Sequence, residues 1–218
     1  MRKHLSATRH RVLVLASCLL LSTALGFAQK RVPAGGLVWN SASQVYFNPS
    51  NGTGQVAGYF TYFPGIDGLF AGAPSAATAH FTFRSDTWQL QPLPAQGNLS
   101  VTLAGEGVWK IYYNATPAAD WDNLDSFSQG QVVAVLTHGP KELIGVGAVG
   151  TSTFSGHVIA TYDFVLNGQI LNLGKIFPDG FTNFSLLSNT PVNNTTAFVV
   201  LPYASSAIAT GREPAPDR

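Results

Sequence analysis

Between residues 152 and 166 the chain alternates with a period of two. Phe154, Gly156, Val158, Ala160, Tyr162, Phe164 and Leu166 fall on one face, and Ser155, His157, Ile159, Thr161, Asp163 and Val165 on the other. That period marks a half-buried β-strand. Asn167-Gly168 follows directly, and this pair suits the two positive φ angles of a type I′ turn. Residues 169–177 are therefore predicted to return as a second strand. Pro178-Asp179-Gly180 marks the next turn, and residues 181–187 and 195–201 read as two further strands.

The same rhythm runs upstream. Ala77, Ala79, Phe81 and Phe83 alternate with Thr78, His80, Thr82 and Arg84. Residues 37–47, 56–63, 88–91, 99–103, 108–113, 132–136 and 143–149 are further strand candidates. Turn clusters rich in Gly, Pro and Asn separate them, as at Pro64-Gly65, Gln96-Gly97-Asn98 and His138-Gly139-Pro140. By the 3.6-residue test only a short helix near 122–129 is expected, with Asp122 or Asp125 as its cap. Evenly spaced short strands with this punctuation predict one all-β domain, a single antiparallel β-barrel or β-sandwich of about eight to ten strands. Closure into a barrel is favoured because it removes sheet edges. Few lysines are present to guard edges: after residue 28 they are Lys30, Lys110, Lys141 and Lys175.

Residues 1–28 differ from this pattern. Arg2, Lys3, Arg9 and Arg11 precede an apolar run over 12–25, and Gly26-Phe27-Ala28 offers small residues before Gln29. This three-part arrangement is that of a secretory signal peptide. The run of about 14 residues is short of the roughly 20 that a membrane span needs. Leu15-Ala16-Ser17-Cys18 is an alternative lipidation site, but the apolar stretch before Cys18 is short and continues past it. The expected organisation is a signal peptide over 1–28, an all-β domain over 29–211 and a disordered tail over 212–218. The expected location is secreted or periplasmic, with no stable membrane span after cleavage.

Composition then narrows the classes. Charged residues make up 11% of the 218 and hydrophobic ones 45%, too few charges for a coiled coil. The 14 Phe, 7 Tyr and 4 Trp exclude a disordered chain. Cleavage at Ala28 would remove four bases and no acid, turning the formal net charge of +1 negative. No nucleic-acid partner is expected. The same cleavage would remove the single Cys, excluding disulfides, a thiol nucleophile and Cys-ligated metals from the mature domain.

Candidate chemistry is sparse. His157 and Asp163 share a strand face but lie about 20 Å apart at the strand rise, and His80 and His157 fall on polar faces. Gly-x-Ser-x-Gly is absent from the sequence. Asp120, Asp122 and Asp125 form the densest acidic cluster and are the candidate ligands for calcium, a hard cation. Their spacing departs from the EF-hand loop, and no other cofactor is indicated. Trp121 sits among these acids and is either a sugar-stacking platform or an anchor under a long loop. Tyr59-Phe60-Thr61-Tyr62-Phe63 places Tyr59, Thr61 and Phe63 on one side and Phe60 and Tyr62 on the other, so both faces are aromatic; Ile111-Tyr112-Tyr113 repeats the effect. Such a strand sits inside a layered core, at an oligomer interface, or with one face lining a ligand cavity. Tyr59, Tyr62, Tyr112 and Trp121 are accordingly the candidate ligand-binding residues. Gly145, Gly147 and Gly150 lack the strand–turn–helix setting of a dinucleotide site and read as bulges or close strand packing. Asn51, Asn98, Asn114, Asn183, Asn193 and Asn194 each begin an Asn-x-Ser/Thr sequon.

Three functions fit these features. The first is a non-catalytic extracytoplasmic binding module for an apolar small molecule, a glycan or an envelope component. The second is a cavity-type isomerase, cyclase or lyase on an apolar substrate, with Tyr62, Glu106 or Asp163 as the acid or base. The third is a small outer-membrane β-barrel, disfavoured by short, mixed strands and a polar C-terminal tail.

Overall fold

The computed structural model describes residues 29–194 and 198–210. The signal-peptide and lipidation readings, Cys18 and the 212–218 tail lie outside the described residues. The structure is nearly all β, with 59% strand and 6% helical residues. The strands are β1 Leu37–Asn48, β2 Thr53–Tyr62, β3 Phe81–Ser85, β4 Trp88–Pro92, β5 Leu99–Ala104, β6 Gly107–Tyr113 and β7 Gln131–His138. Then follow β8 Lys141–Val146, β9 Val149–Thr161, β10 Asp163–Leu166, β11 Gln169–Asn172, β12 Gly180–Ser188, β13 Asn193–Asn194 and β14 Val199–Ala209.

Eight of them close an antiparallel barrel in the order β1-β14-β12-β9-β7-β6-β3-β2, with β2 returning to β1. The remaining path, β4-β5-β8, bridges from β2 to β9. Three chain segments are bent to make this possible. Breaks of two residues each, at Asp86-Thr87, Gly105-Glu106 and Gly139-Pro140, carry β3 into β4, β5 into β6 and β7 into β8. Pro140 and Gly139 suit such a corner because one lacks a ladder N–H and the other lacks a side chain.

Aromatic rings fill the barrel. Trp39, Phe60, Phe63, Phe81, Phe83, Trp109, Phe177 and Phe181 are all buried. Phe83 stacks on Trp109 at 4.9 Å and 11°, and Trp39 meets Phe181 edge-on at 4.7 Å. Glycine makes room for the rings: a Cβ on Gly156 would come within 2.5 Å of the Phe181 ring and 2.3 Å of the Thr137 carbonyl. One wall is polar. Ser41 shares a hydrogen bond with Ser205 at 2.8 Å and Ser152 with Ser185 at 2.7 Å; Ser43 donates to the Tyr203 carbonyl, and the Asn183 amide donates to the Tyr203 hydroxyl. Satisfying these buried groups in pairs removes most of the penalty of burying them. Burial pushes the Tyr203 phenol pKa up, and its serine and asparagine partners pull it back down.

Several expected elements differ. Residues 152–166 do not form one strand: the chain breaks at Tyr162, and β10 pairs only with β11. Asn167 and Gly168 do adopt positive φ, 50° and 76°. The returning strand stops at Asn172, whose Oδ1 accepts from the Gly174 N–H and starts a 3-10 turn, Leu173–Lys175. That turn drives Leu173, Ile176 and Phe177 into one end of the barrel. Residues 143–149 hold the end of β8 and a two-residue hairpin, with Val146 paired to Val149 and Gly147 at φ 58°. Gly147 is thus a turn residue, whereas Gly145 and Gly150 sit opposite each other in the ladder. Residues 76–78 form a 3-10 turn held by Ser75 and Thr78, so β3 begins only at Phe81. The 3-10 helix Leu124–Ser128 has Asn123 at its N-cap, not Asp122 or Asp125. Beyond Leu201 the strand continues to Ala209. Pro202 is tolerated because the β12 ladder on β14 ends at Tyr203 and the β13 ladder covers only Val199 and Val200, so Pro202 falls between them.

Candidate functional site

The β1–β2 ladder contains a β-bulge that decides where Tyr62 points. Asn40 faces Tyr62 and Ser41 faces Phe60, leaving Thr61 as the extra residue. A bulge re-aims the side chains that follow it. Phe60 and Tyr62, expected on one face, are separated: Phe60 is fully buried, while Tyr62 is 40% exposed. Phe63 turns into the core against Phe60 at 4.4 Å. Tyr62 lines a half-open cleft of about 730 Å³ on the plugged end of the barrel. Val32, Ile66, Leu166, Leu171 and Ile176 supply its apolar wall, with Asn167 and Gln169 at the β10–β11 turn. Arg31 is paired with Asp179 at 2.9 Å, leaving Lys30 as a nearby exposed cation.

Tyr59 and Trp121 come together elsewhere. On the barrel's outer surface Tyr59 lies 6.1 Å from the Trp121 ring, and Trp121 packs on Phe127 at 4.6 Å. Tyr46, Ala57, Ala76 and Ala119 complete this satellite cluster under the loops that follow β2 and β6. Burial and the charge of Asp122 push the Tyr46 pKa up to about 12. Trp121 is therefore the anchor under a long loop. The second aromatic face of β2 is explained the same way, by a second layer of packing. Tyr112 stands apart from both, in a polar groove with Arg84, Asp86 and Lys110. Its phenol pKa is raised by burial, against the pull of Arg84.

The acidic residues do not converge. Among the described residues no group of three or more His, Cys, Asp or Glu side chains could hold a metal ion. Asp120 accepts from the Asp122 backbone N–H, and Asp125 accepts from Arg84. Glu106 and Asp163, offered as acids or bases of an apolar cavity, are exposed. Asp163 is engaged by the Asn172 amide at 2.6 Å. The sequon at Asn183 is fully buried against Tyr203 and is not a glycosylation site in the folded protein.

Pattern reading overlooked the pair at the bent corner. His138 ends β7 and Lys141 begins β8, and they are 3% and 6% exposed. The Lys141 ammonium lies 4.1 Å from the centroid of Trp88 and 5.3 Å from that of Phe154. Among the described residues no carboxylate pairs with it, the two ion pairs being Arg31–Asp179 and Arg84–Asp125. Burial pushes the Lys141 pKa down to about 7. His138 donates from Nδ1 to the Gly139 carbonyl at 2.9 Å, so its buried Nε2 carries a lone pair without a partner. Burial, and then the charge of Lys141, lower the His138 pKa to about 4. Gly107 is required beside them, because a Cβ there would come within 2.6 Å of His138 Nε2. The sequence signal was a lysine at the inward phase of Lys141, Leu143, Gly145, directly after Gly139-Pro140.

No family model, curated protein or solved structure matches this chain. The described residues also contain no helix long and apolar enough to cross a membrane.

Proposed function

We propose that the protein is an extracytoplasmic binding module that takes an apolar small molecule in the cleft beside Tyr62. The observation that carries this reading is the cleft itself. Its volume of about 730 Å³ falls within the range of about 300–1,000 Å³ common for small-molecule sites. Its wall is mainly apolar, with polar groups from Tyr62, Asn167 and Gln169 and charged ones from Lys30, Arg31 and Asp67 to orient a ligand. Small barrels take ligands at their mouths, and here the aromatic filling leaves the plugged end as the receptive one. The extracytoplasmic location rests on the signal-like segment 1–28. The outward side of β9 mixes polar Thr151, Thr153, Ser155 and His157 with exposed Val149 and Ile159, and Phe184 and Leu186 of β12 are exposed beside it.

The test is a fluorescence titration of the folded protein with 1-anilinonaphthalene-8-sulfonate. Saturable one-to-one binding is expected, weakened roughly tenfold in Tyr62→Ala, as for a central aromatic contact, and unchanged in Trp121→Ala. Absence of saturation, or equal affinity in Tyr62→Ala, would overturn the proposal.

A further inference from the structure

Lys141 is hard to explain as a structural residue. A lysine buried among aromatic rings without a carboxylate is destabilising, and a methionine would fill the same space without that penalty. The protein nevertheless places it where three strands bend, between Trp88 and Phe154. It also lines a half-open groove of about 430 Å³ between β5, β8 and β9, together with Ala104, Pro140 and Ser152. Desolvated lysines next to a cavity are the usual form of an amine nucleophile.

We propose that Lys141 is a nucleophilic amine that captures small aliphatic aldehydes as imines. The neutral Nζ adds to the carbonyl carbon, the carbonyl π bond breaks, and one proton passes from the nitrogen to the carbonyl oxygen to give a carbinolamine. Loss of one water then leaves a carbon–nitrogen double bond, with no change in oxidation state and no further reactant. The burial that lowers the Lys141 pKa to about 7 leaves roughly half the amine uncharged at neutral pH. An ordinary lysine is uncharged in only about one molecule in a few thousand there. Among the described residues His138 is the titratable group coupled to the charge of Lys141, and with its lowered pKa it is neutral at pH 7. Glu142, next on β8, is exposed.

The test is reductive trapping. Folded protein is incubated with butanal and sodium cyanoborohydride at pH 7, digested, and mapped by mass spectrometry. Lys141 is expected to be alkylated at least about tenfold faster than the exposed Lys30, Lys110 and Lys175. The preference should vanish when the reaction is run in concentrated urea. The proposal fails if Lys141 stays unmodified in the native protein while the three exposed lysines react, or if all four react alike. Lys141→Met, if folded, should retain only slow labelling at the surface lysines, the α-amino group being scored separately; rapid labelling at another lysine would equally overturn it.

Discussion

Raising the pH from 6 to 9.5 should stabilise this protein, and Lys141 is the reason. Its pKa is about 7 in the folded state against 10.5 for a free lysine side chain. Between those values the unfolded chain binds the proton that the folded one has lost, so the free energy of unfolding rises with pH. At pH 6 both states are protonated and the native state carries the full penalty of a buried ammonium. By pH 9.5 a shift of this size relieves about 3 kcal/mol. The faces of Trp88 and Phe154 favour the ammonium by about 0.5–2 kcal/mol, which reduces the expected rise to about 1–3 kcal/mol. For a domain of this length that is roughly 2–4 °C in Tm per kcal/mol. The assay is urea unfolding followed by tryptophan fluorescence at half-unit steps of pH, on the wild type and on Lys141→Met. The variant should be more stable at pH 6 and lack the rise. The window stops at 9.5 because free tyrosines ionise near 10 while Tyr46 holds its proton to about 12; Tyr112 and Tyr203 are shifted in the same direction. Parallel profiles for the two proteins would refute the placement of Lys141 in an uncharged interior.

Further outcomes follow from the same geometry. Below pH 6.5 the wild type should lose stability as the unfolded chain takes up a proton that His138, with a pKa of about 4, resists; about 2 kcal/mol should be lost by pH 5, and His138→Asn should flatten that limb of the unfolding curve. Trp109→Ala should cost about 3–5 kcal/mol in the same assay, since it removes the ring between Phe83 and Phe154. Gly156→Ala should cost more than about 2 kcal/mol by overpacking, because the Thr137 carbonyl is backbone and cannot retreat. Asp125→Ala should change stability by less than about 1 kcal/mol, because the Asp125 side of its pair with Arg84 is 77% exposed.

The all-β class and the Asn167-Gly168 turn were legible in the sequence because both are local. A period of two and a pair of positive φ angles are properties of neighbouring residues, and they survive whatever lies across the sheet. Strand ends were less legible where side chains competed with the ladder, as Asn172 does in capping a turn. The inward Ser205 hid the extension of β14 beyond Leu201 because apolar-inside logic assumes an apolar interior. Here Ser205 is satisfied across the barrel by Ser41, a partner 164 residues away.

The site followed the same division. Sequence alone singled out Tyr59, Tyr62 and Tyr112 as aromatic residues in excess of what one face requires, and Trp121 as an aromatic ring set among acids. Only the tertiary structure decided that Tyr62 lines a cleft while Tyr59 and Trp121 bury each other, because a bulge of one residue inverts a strand's facing and is set by the partner strand. It likewise placed Lys141 and His138 in the interior. Their burial arises where three bent segments meet, and convergence of that kind is a property of the closed barrel, written in no single stretch of the chain.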